Sequence, residues 1–252
     1  MRSILTLALL ALTWLSVAPP AAAGSSEPEA VALAQRTVDA MGGTAGWDEV
    51  RHVHFNFANF RSHTWDKATG DHRIEGRTRD GNTYVVLHNL NSREGRAWKN
   101  GEETTGEEQD ALLQSAYGAW INDTYWLLAP YKLLDPGVTL SYEGKEELDD
   151  TVYETVKLTF DSVGLTPGDT YWVYIDHETG LVGRWAYVLE SAEEGAEATA
   201  WRWTDWQSYG PVKLASGRSL VGGERELPLV DIAIYDTLPA AVYTDPAAKI
   251  EP

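Results

Sequence analysis

Histidines are the side chains of this sequence best suited to chemistry, because five of them fall on successive short segments that alternate like β-strands. Imidazole nitrogens bind zinc and other divalent ions, and they carry protons near neutral pH. His63 and His72 flank one predicted hairpin, and His54 lies on the preceding predicted strand. These three could converge on a metal ion and support a metal-dependent enzyme.

The competing interpretation is that the histidines line a cavity or the surface. No His-x-x-x-His or His-Glu-x-x-His motif is present, and His52 and His54 form only an i,i+2 pair on a strand. The same interpretation covers His88 on a later strand. We favour it, and we therefore predict no metal and no cofactor.

Residues for covalent or acid–base catalysis are also hard to place. The sequence contains no cysteine and no Gly-x-Ser-x-Gly motif. The acid pairs Asp149-Asp150 and Glu193-Glu194 occur in polar, turn-like stretches, where carboxylates are usually solvated rather than opposed across a cleft. We predict no catalytic residue, and an enzyme is the less favoured class.

The segment from Trp120 to Gly137, WINDTYWLLAPYKLLDPG, contains two charges within its apolar part, Asp123 and Lys132. Buried ions are tolerated mainly when they are paired and hydrogen-bonded. We therefore predict a structural ion pair between Asp123 and Lys132. Alternatively, each could bond backbone groups freed where Pro130 interrupts the helix.

Aromatic residues around the same segment are candidates for binding an apolar ligand. Tryptophan and tyrosine, of which the sequence has 11 and 12, combine a broad apolar ring with a polar atom. Core packing explains them equally well, and alternation allows only Tyr171 and Val173, or Trp172 and Tyr174, to face inward. The predicted ligand-binding residues are Trp120, Tyr125, Trp126, Tyr131, Lys132, Trp172 and Trp185.

Two periodicities divide the chain into the elements that must position these residues. A helix is predicted from Ser26 to the glycines at 42–43, and a second one follows the capping box of Thr105 and Glu108. The second helix should end at Pro130 with its later half buried. Strand alternation begins at Arg51 and resumes after residue 137, with glycine-containing turns between the strands. The fold class is mainly β (α+β) and antiparallel.

Composition limits the compartment and the partners. Residues 1–23 have the basic, apolar and small-residue regions of a secretory signal peptide cleaved after Ala23, leaving a single domain over 24–252. The protein is then periplasmic or secreted, without stable membrane insertion. A net charge of −18 disfavours nucleic acid as a partner. The oligomeric state is not determined by the sequence.

Two blocks, Ile121–Val138 and Gly164–Trp172, carry a resemblance to a known group. They resemble an uncharacterised exported family within the periplasmic lipoprotein-localisation-factor-like (LolA-like) superfamily. The resemblance implies a curved, incompletely closed antiparallel β-barrel with helices covering the concave face. It also implies an apolar ligand, a lipid or acyl chain, held between sheet and helices, and it supplies no catalytic residues.

The sequence therefore predicts an exported, soluble binding protein for a hydrophobic ligand. Two alternatives stay open: the metal-dependent enzyme with His54, His63 and His72, and a periplasmic sensing or structural module that binds a protein partner.

Overall fold

The computed structural model describes residues 25–161 and 164–250. The predicted signal peptide therefore lies outside the described residues. The helices are α1 (Pro28–Ala40), α2 (Gly43–Glu49), α3 (Gly106–Leu128) and α4 (Ala241–Thr244), and a 3-10 turn (Ala129–Lys132) follows α3. Among the described residues, no helix is long and apolar enough to cross a membrane.

Thirteen strands in the described part of the chain form two antiparallel sheets. They are β1 (His52–Phe57), β2 (Arg61–Asp66), β3 (Asp71–Arg77), β4 (Thr83–Asn89), β5 (Gly95–Lys99), β6 (Glu102–Glu103), β7 (Val138–Leu148), β8 (Thr151–Phe160), β9 (Thr170–Asp176), β10 (Val182–Val188), β11 (Thr199–Tyr209), β12 (Val212–Leu220) and β13 (Leu229–Tyr235). The first sheet has the order β13-β1-β2-β3-β4-β5-β6, and the second has the order β12-β11-β10-β9-β8-β7.

The sheets meet where β12 leads into β13. The backbone N–H of Leu227 donates to the carbonyl of Arg218 at 2.9 Å, after which β13 pairs with β1 on the other sheet. No strand ladder joins β12 to β13 in the described sheets, so the structure curves without closing. The predicted mainly β fold and its incomplete closure are confirmed.

Alternation gives each sheet one apolar face towards the helices. In β1, Val53, Phe55 and Phe57 are buried in the main core, while the side chains between them point to the opposite face. Helix α1 adds Ala30 and Leu33 to the same core. Helices α1 and α3 therefore lie on the inner faces of the sheets, whereas α4 packs on the outer face of the first sheet, where Tyr243 contacts His52.

Helix α3 contacts both sheets. It begins after Thr105 as predicted, but the Thr105 side chain makes no capping bond, and Glu108 pairs with Lys99 instead. Ala116 packs on the first sheet, and Trp126 packs in the main core, which includes the second. The helix ends at the residue before Ala129-Pro130, because proline cannot donate a backbone hydrogen bond. Its later half is buried, as predicted.

Candidate functional site

A pocket of about 800 Å³ lies between α3, the 3-10 turn and the inner faces of both sheets. Ten aromatic side chains line it. Ligand pockets in proteins are of order 300–1,000 Å³ and mostly apolar, so this cavity has the size and lining of a binding site.

The second sheet and α3 supply one wall of the pocket. Tyr171 and Trp185 point inward from β9 and β10, with ring centroids 5.3 Å apart. Tyr125 lies 5.5 Å from Tyr171 and 5.6 Å from Trp185, and Trp126 lies 4.9 Å from Trp185. These rings are tilted or edge-on, which are the favourable arrangements for aromatic pairs.

Trp172 does not line the pocket, so its placement among the ligand-binding residues is wrong. Val173 is buried in the core and pairs with Trp185 across the β9–β10 ladder, which fixes that face as the inner one. Trp172 therefore points outward, where the Lys157 ammonium lies 5.7 Å from its ring. Because side chains alternate along a strand, either Tyr171 and Val173 or Trp172 and Tyr174 must face outward. The ladder register shows that Trp172 and Tyr174 do.

The first sheet and α2 supply the opposite wall. Trp65 of β2 packs edge-on against Trp120 of α3, with ring centroids 5.5 Å apart. Trp47 of α2 stacks on Tyr131 at 5.0 Å. The Tyr131 hydroxyl donates to the Met41 carbonyl at 2.7 Å, and burial raises the pKa of Tyr131 to about 12. The tyrosine therefore stays neutral at physiological pH.

Charged groups that line the pocket are hydrogen-bonded to protein partners, including Lys67, which donates to the Trp47 carbonyl, and Glu190, which accepts from the Gly168 N–H. Lys132 pairs with Asp135 at the rim, and both side chains are partly exposed. The buried Asp169 carboxylate accepts from Thr166 Oγ1 at 2.7 Å, the Tyr171 hydroxyl at 3.1 Å and the Glu190 N–H at 2.8 Å. The interior thus presents rings rather than free charge.

Asp123 and Lys132 do not pair, and the predicted ion pair is wrong. Asp123 is 0% exposed and accepts from Arg61 Nε at 2.6 Å, Arg61 Nη2 at 2.8 Å and His63 Nε2 at 2.8 Å. Burial pushes the pKa of Asp123 upward, but the bonds from Arg61 and His63 outweigh it and leave the pKa below its ordinary value. Asp123 faces the first sheet, whereas Lys132 lies beyond the end of α3 at the rim, so the two cannot meet.

His54, His63 and His72 do not converge. His54 lies on the outer face of β1, where its Nδ1 is 2.9 Å from Thr64 Oγ1. His63 and His72 are on the inner face and bond to each other, with 3.0 Å between His63 Nδ1 and His72 Nε2. The structure therefore does not assemble the proposed three-histidine metal site.

Sequence reasoning missed Arg61 as a partner of Asp123, and it missed five of the ten aromatic lining residues: Trp47, Trp65, Phe160, Tyr171 and Tyr187. Arg61, His63 and Trp65 alternate along β2, which indicates one face, but only the fold shows that α3 lies over it. Alternation along the strand left open whether Tyr171 and Val173 or Trp172 and Tyr174 face inward.

The fold and pocket define a class: a helix-covered, two-sheet protein with an aromatic-lined apolar cavity. No family model and no curated protein matches the chain. Among solved structures, a DUF1329 family protein from Desulfovibrio piger ATCC 29098 is similar at 12% identity and a TM-score of 0.45, over 85% of this chain and 96% of that one. A LolA superfamily protein from Nitrosomonas europaea is similar at 10% identity and a TM-score of 0.37, over 86% and 97%.

The lipoprotein LppX of Mycobacterium tuberculosis is similar at 12% identity and a TM-score of 0.31, over 79% of this chain and 99% of that one. One of these similar structures belongs to the LolA superfamily that the sequence resemblance named. Because all three TM-scores are below 0.5, the functional proposals rest on contacts within this chain.

Proposed function

We propose that this protein binds one hydrophobic ligand, such as a lipid or acyl chain, in the aromatic pocket between α3 and the sheets. The observation that carries the proposal is the cavity of about 800 Å³ lined by ten aromatic side chains. Packed cores contain few voids larger than a water molecule, so a cavity of this size and lining favours an apolar occupant over plain core packing.

The energetics favour an aliphatic or ring-bearing molecule. Each buried methylene contributes about 0.8 kcal/mol, which corresponds to a roughly fourfold gain in affinity. Lys132 and Asp135 at the rim offer a polar boundary where a head group would meet water. Leu165 and Leu189, which are 60% and 43% exposed, lie at the same rim and extend the apolar surface outward.

We further propose that the protein works after export, once residues 1–23 have been removed. A carrier or sensor of apolar molecules outside the cytoplasm needs a pocket that shields its ligand from water. The net charge of −18, which becomes −19 once Arg2 is removed, fits a molecule that stays dispersed in water and avoids anionic surfaces.

Binding is tested by titrating the purified protein with N-phenyl-1-naphthylamine, whose fluorescence rises in apolar surroundings. Native mass spectrometry of protein from its own host asks in parallel whether a lipid co-purifies. The matched variants are Trp120→Ala, which removes a half-buried ring from the pocket, and Trp172→Ala, which removes a half-buried ring from the outer face.

We expect Trp120→Ala to weaken probe binding at least about tenfold, since a buried aromatic side chain contributes of order 1.5–3 kcal/mol. Trp172→Ala should stay within about twofold of the original protein. The proposal fails if no probe binds and no lipid co-purifies, or if the two variants lose affinity equally.

A further inference from the structure

Three buried histidines form one hydrogen-bonded row across neighbouring strands of the first sheet. His63 of β2, His72 of β3 and His88 of β4 are joined by contacts of 3.0 Å and 2.7 Å. The row ends on Asp123 of α3, 2.8 Å from His63 Nε2. His63 and His72 are 0% exposed and His88 is 6% exposed, so the row is almost entirely out of water.

The partners determine where each hydrogen lies. An ionised carboxylate only accepts, so His63 Nε2 donates to Asp123 and His63 Nδ1 is left as an acceptor. His72 Nε2 must then donate to His63 Nδ1, and His88 Nε2 must donate to His72 Nδ1. This assignment applies to neutral rings, which burial favours by lowering the pKa of all three, and every bond in the row then points towards Asp123.

This row connects the first sheet to α3 through the bond between His63 and Asp123, and both elements contribute to the pocket wall. Trp65 lies two residues after His63 on β2, and Trp120 lies three residues before Asp123 on α3. The two indoles meet edge-on inside the pocket wall, with ring centroids 5.5 Å apart. Movement of α3 away from the sheet would separate them and open the cavity.

We propose that the His63–His72–His88 row is a proton-controlled latch: when neutral it holds α3 on the first sheet and keeps the pocket closed, and proton uptake loosens α3 and releases the ligand. The proposal rests on the proposed ligand binding. It adds a regulator, the proton, which acts through residues that do not line the cavity.

A proton can enter the row only at the Nδ1 atom of His88, since every other ring nitrogen is engaged. In the closed state, transfer along the row would move each bridging hydrogen to the adjacent ring nitrogen and leave His63 as an imidazolium, which strengthens the bond to Asp123. The other two rings would become neutral with hydrogen on Nδ1. No bond is made or broken other than N–H bonds, and the row has room for one extra proton. Loosening of α3 therefore depends on protons that the rings take up once the helix has lifted.

Surrounding charges decide whether the closed state accepts that proton. Asp123 of α3 favours it, while the cations on β2 and on the β4–β5 turn oppose it. The charged and titratable groups near the row are Arg61 of β2, Tyr84 of β4, Arg93 of the β4–β5 turn and Asp123 of α3, while His54 lies on the opposite face of β1.

Burial is the largest effect and lowers the pKa of all three rings, in His88 to about 4. Water reaching the row when α3 lifts would restore ordinary values near 6.5. Because protons bind the open state more tightly, acid favours opening, by up to about tenfold per pH unit for each proton taken up.

The deciding variant is His72→Gln. The glutamine amide can donate towards His63 and accept from His88, but it cannot be protonated, so it preserves the bonds of the neutral row and removes one ring that takes up a proton when α3 lifts. His54→Gln is the matched control, because it removes a histidine from the opposite face of the same sheet. His88→Gln, which also removes one titrating ring, is the second variant if His72→Gln fails to fold.

Two quantities are measured at about pH 7.5 and about pH 5: the affinity for N-phenyl-1-naphthylamine, and the hydrogen exchange of α3 amides in ligand-free protein, corrected for the intrinsic effect of pH. We expect the original protein and His54→Gln to lose at least about tenfold in affinity and in α3 protection at the lower pH. His72→Gln should keep the affinity measured at about pH 7.5 and show smaller pH effects on both quantities, because one of the three titrating rings is absent.

The latch is overturned if α3 protection in the original protein does not change with pH, or if His72→Gln retains the same changes. If no variant binds the probe at either pH, the proposed ligand binding fails instead. The exchange of α3 amides then still decides whether the row holds the helix.

Discussion

Asp123 and Arg61 form a two-point ion pair, with 2.6 Å from Arg61 Nε to Asp123 Oδ2 and 2.8 Å from Arg61 Nη2 to Asp123 Oδ1, although 62 positions separate them in the chain. Bidentate arginine–carboxylate pairs are among the strongest side-chain hydrogen bonds. This pair ties α3 to β2. At the other end of the helix, buried Arg218 of β12 donates to the Trp126 carbonyl at 2.7 Å, so α3 is fixed to both sheets.

Removing the Asp123 carboxylate should destabilise the protein strongly. Asp123→Asn leaves the Arg61 cation without its partner, and breaking one side of a buried pair costs about 3–5 kcal/mol. Lys132→Ala removes a partly exposed charge that pairs with Asp135, and we expect about 0–1 kcal/mol. Urea unfolding of both variants measures the difference. Equal losses would contradict the assignment of Arg61 and His63 as the partners of Asp123.

Removing Arg218 should also destabilise the protein, since its guanidinium lies 3.6 Å from the Trp203 ring centroid and satisfies backbone carbonyls on two elements. Arg218→Ala leaves buried carbonyls unpaired, and we expect a loss of roughly 3 kcal/mol or more in the free energy of unfolding. Arg225→Ala is the control, because Arg225 is exposed and lies 5.6 Å from the Trp201 ring. A control as costly as Arg218→Ala would argue against a special role for the buried arginine.

Stability should fall with acid before the carboxylates titrate. Burial, then the charges of Arg93 and His63, lower the pKa of His88 to about 4 from 6.5. Above about pH 6.5 this histidine is neutral in both the folded and unfolded chains and contributes no pH dependence. Between about pH 6.5 and about pH 4 only the unfolded chain takes up the proton, so the free energy of unfolding falls by about 1.4 kcal/mol per pH unit.

Urea unfolding across that pH range measures how steeply the free energy of unfolding changes with pH in His88→Gln and in His177→Gln. His177 is the control, because it is a partly exposed histidine beside Glu154. His88→Gln should reduce the slope, and His177→Gln should not. An unchanged slope in His88→Gln would contradict the burial of a neutral ring at this position.

Ligand affinity should follow chain length until the cavity is full. In a series of saturated chains with the same head group, we expect a gain of about fourfold per added methylene. Competition against N-phenyl-1-naphthylamine gives the affinities. A plateau should appear once further methylenes extend past the leucines of the rim. Affinity that depends on the head group and not on length would place the main contacts outside the aromatic cavity.

The sequence by itself determined the strands, the two long helices and the class of fold, but not the short helices α2 and α4. Alternation in β1 places Val53, Phe55 and Phe57 on one face, and Pro130 ends α3, because both features depend on local geometry. The aromatic residues near Trp120 and Trp126 were candidates for a cavity wall, but their spacing alone could not separate that role from core packing.

Only the tertiary structure decided which partners the buried polar groups take. Alternation separates Tyr171 from Trp172 but does not say which faces inward, and the ladder between Val173 and Trp185 settled that point. Asp123 has a lysine nearby in sequence, yet it bonds to Arg61 and His63, which a strand brings from some 60 residues away. Partner choice for a buried charge depends on what the fold packs against it, because Coulomb and hydrogen-bond energies follow distance in space and not separation along the chain.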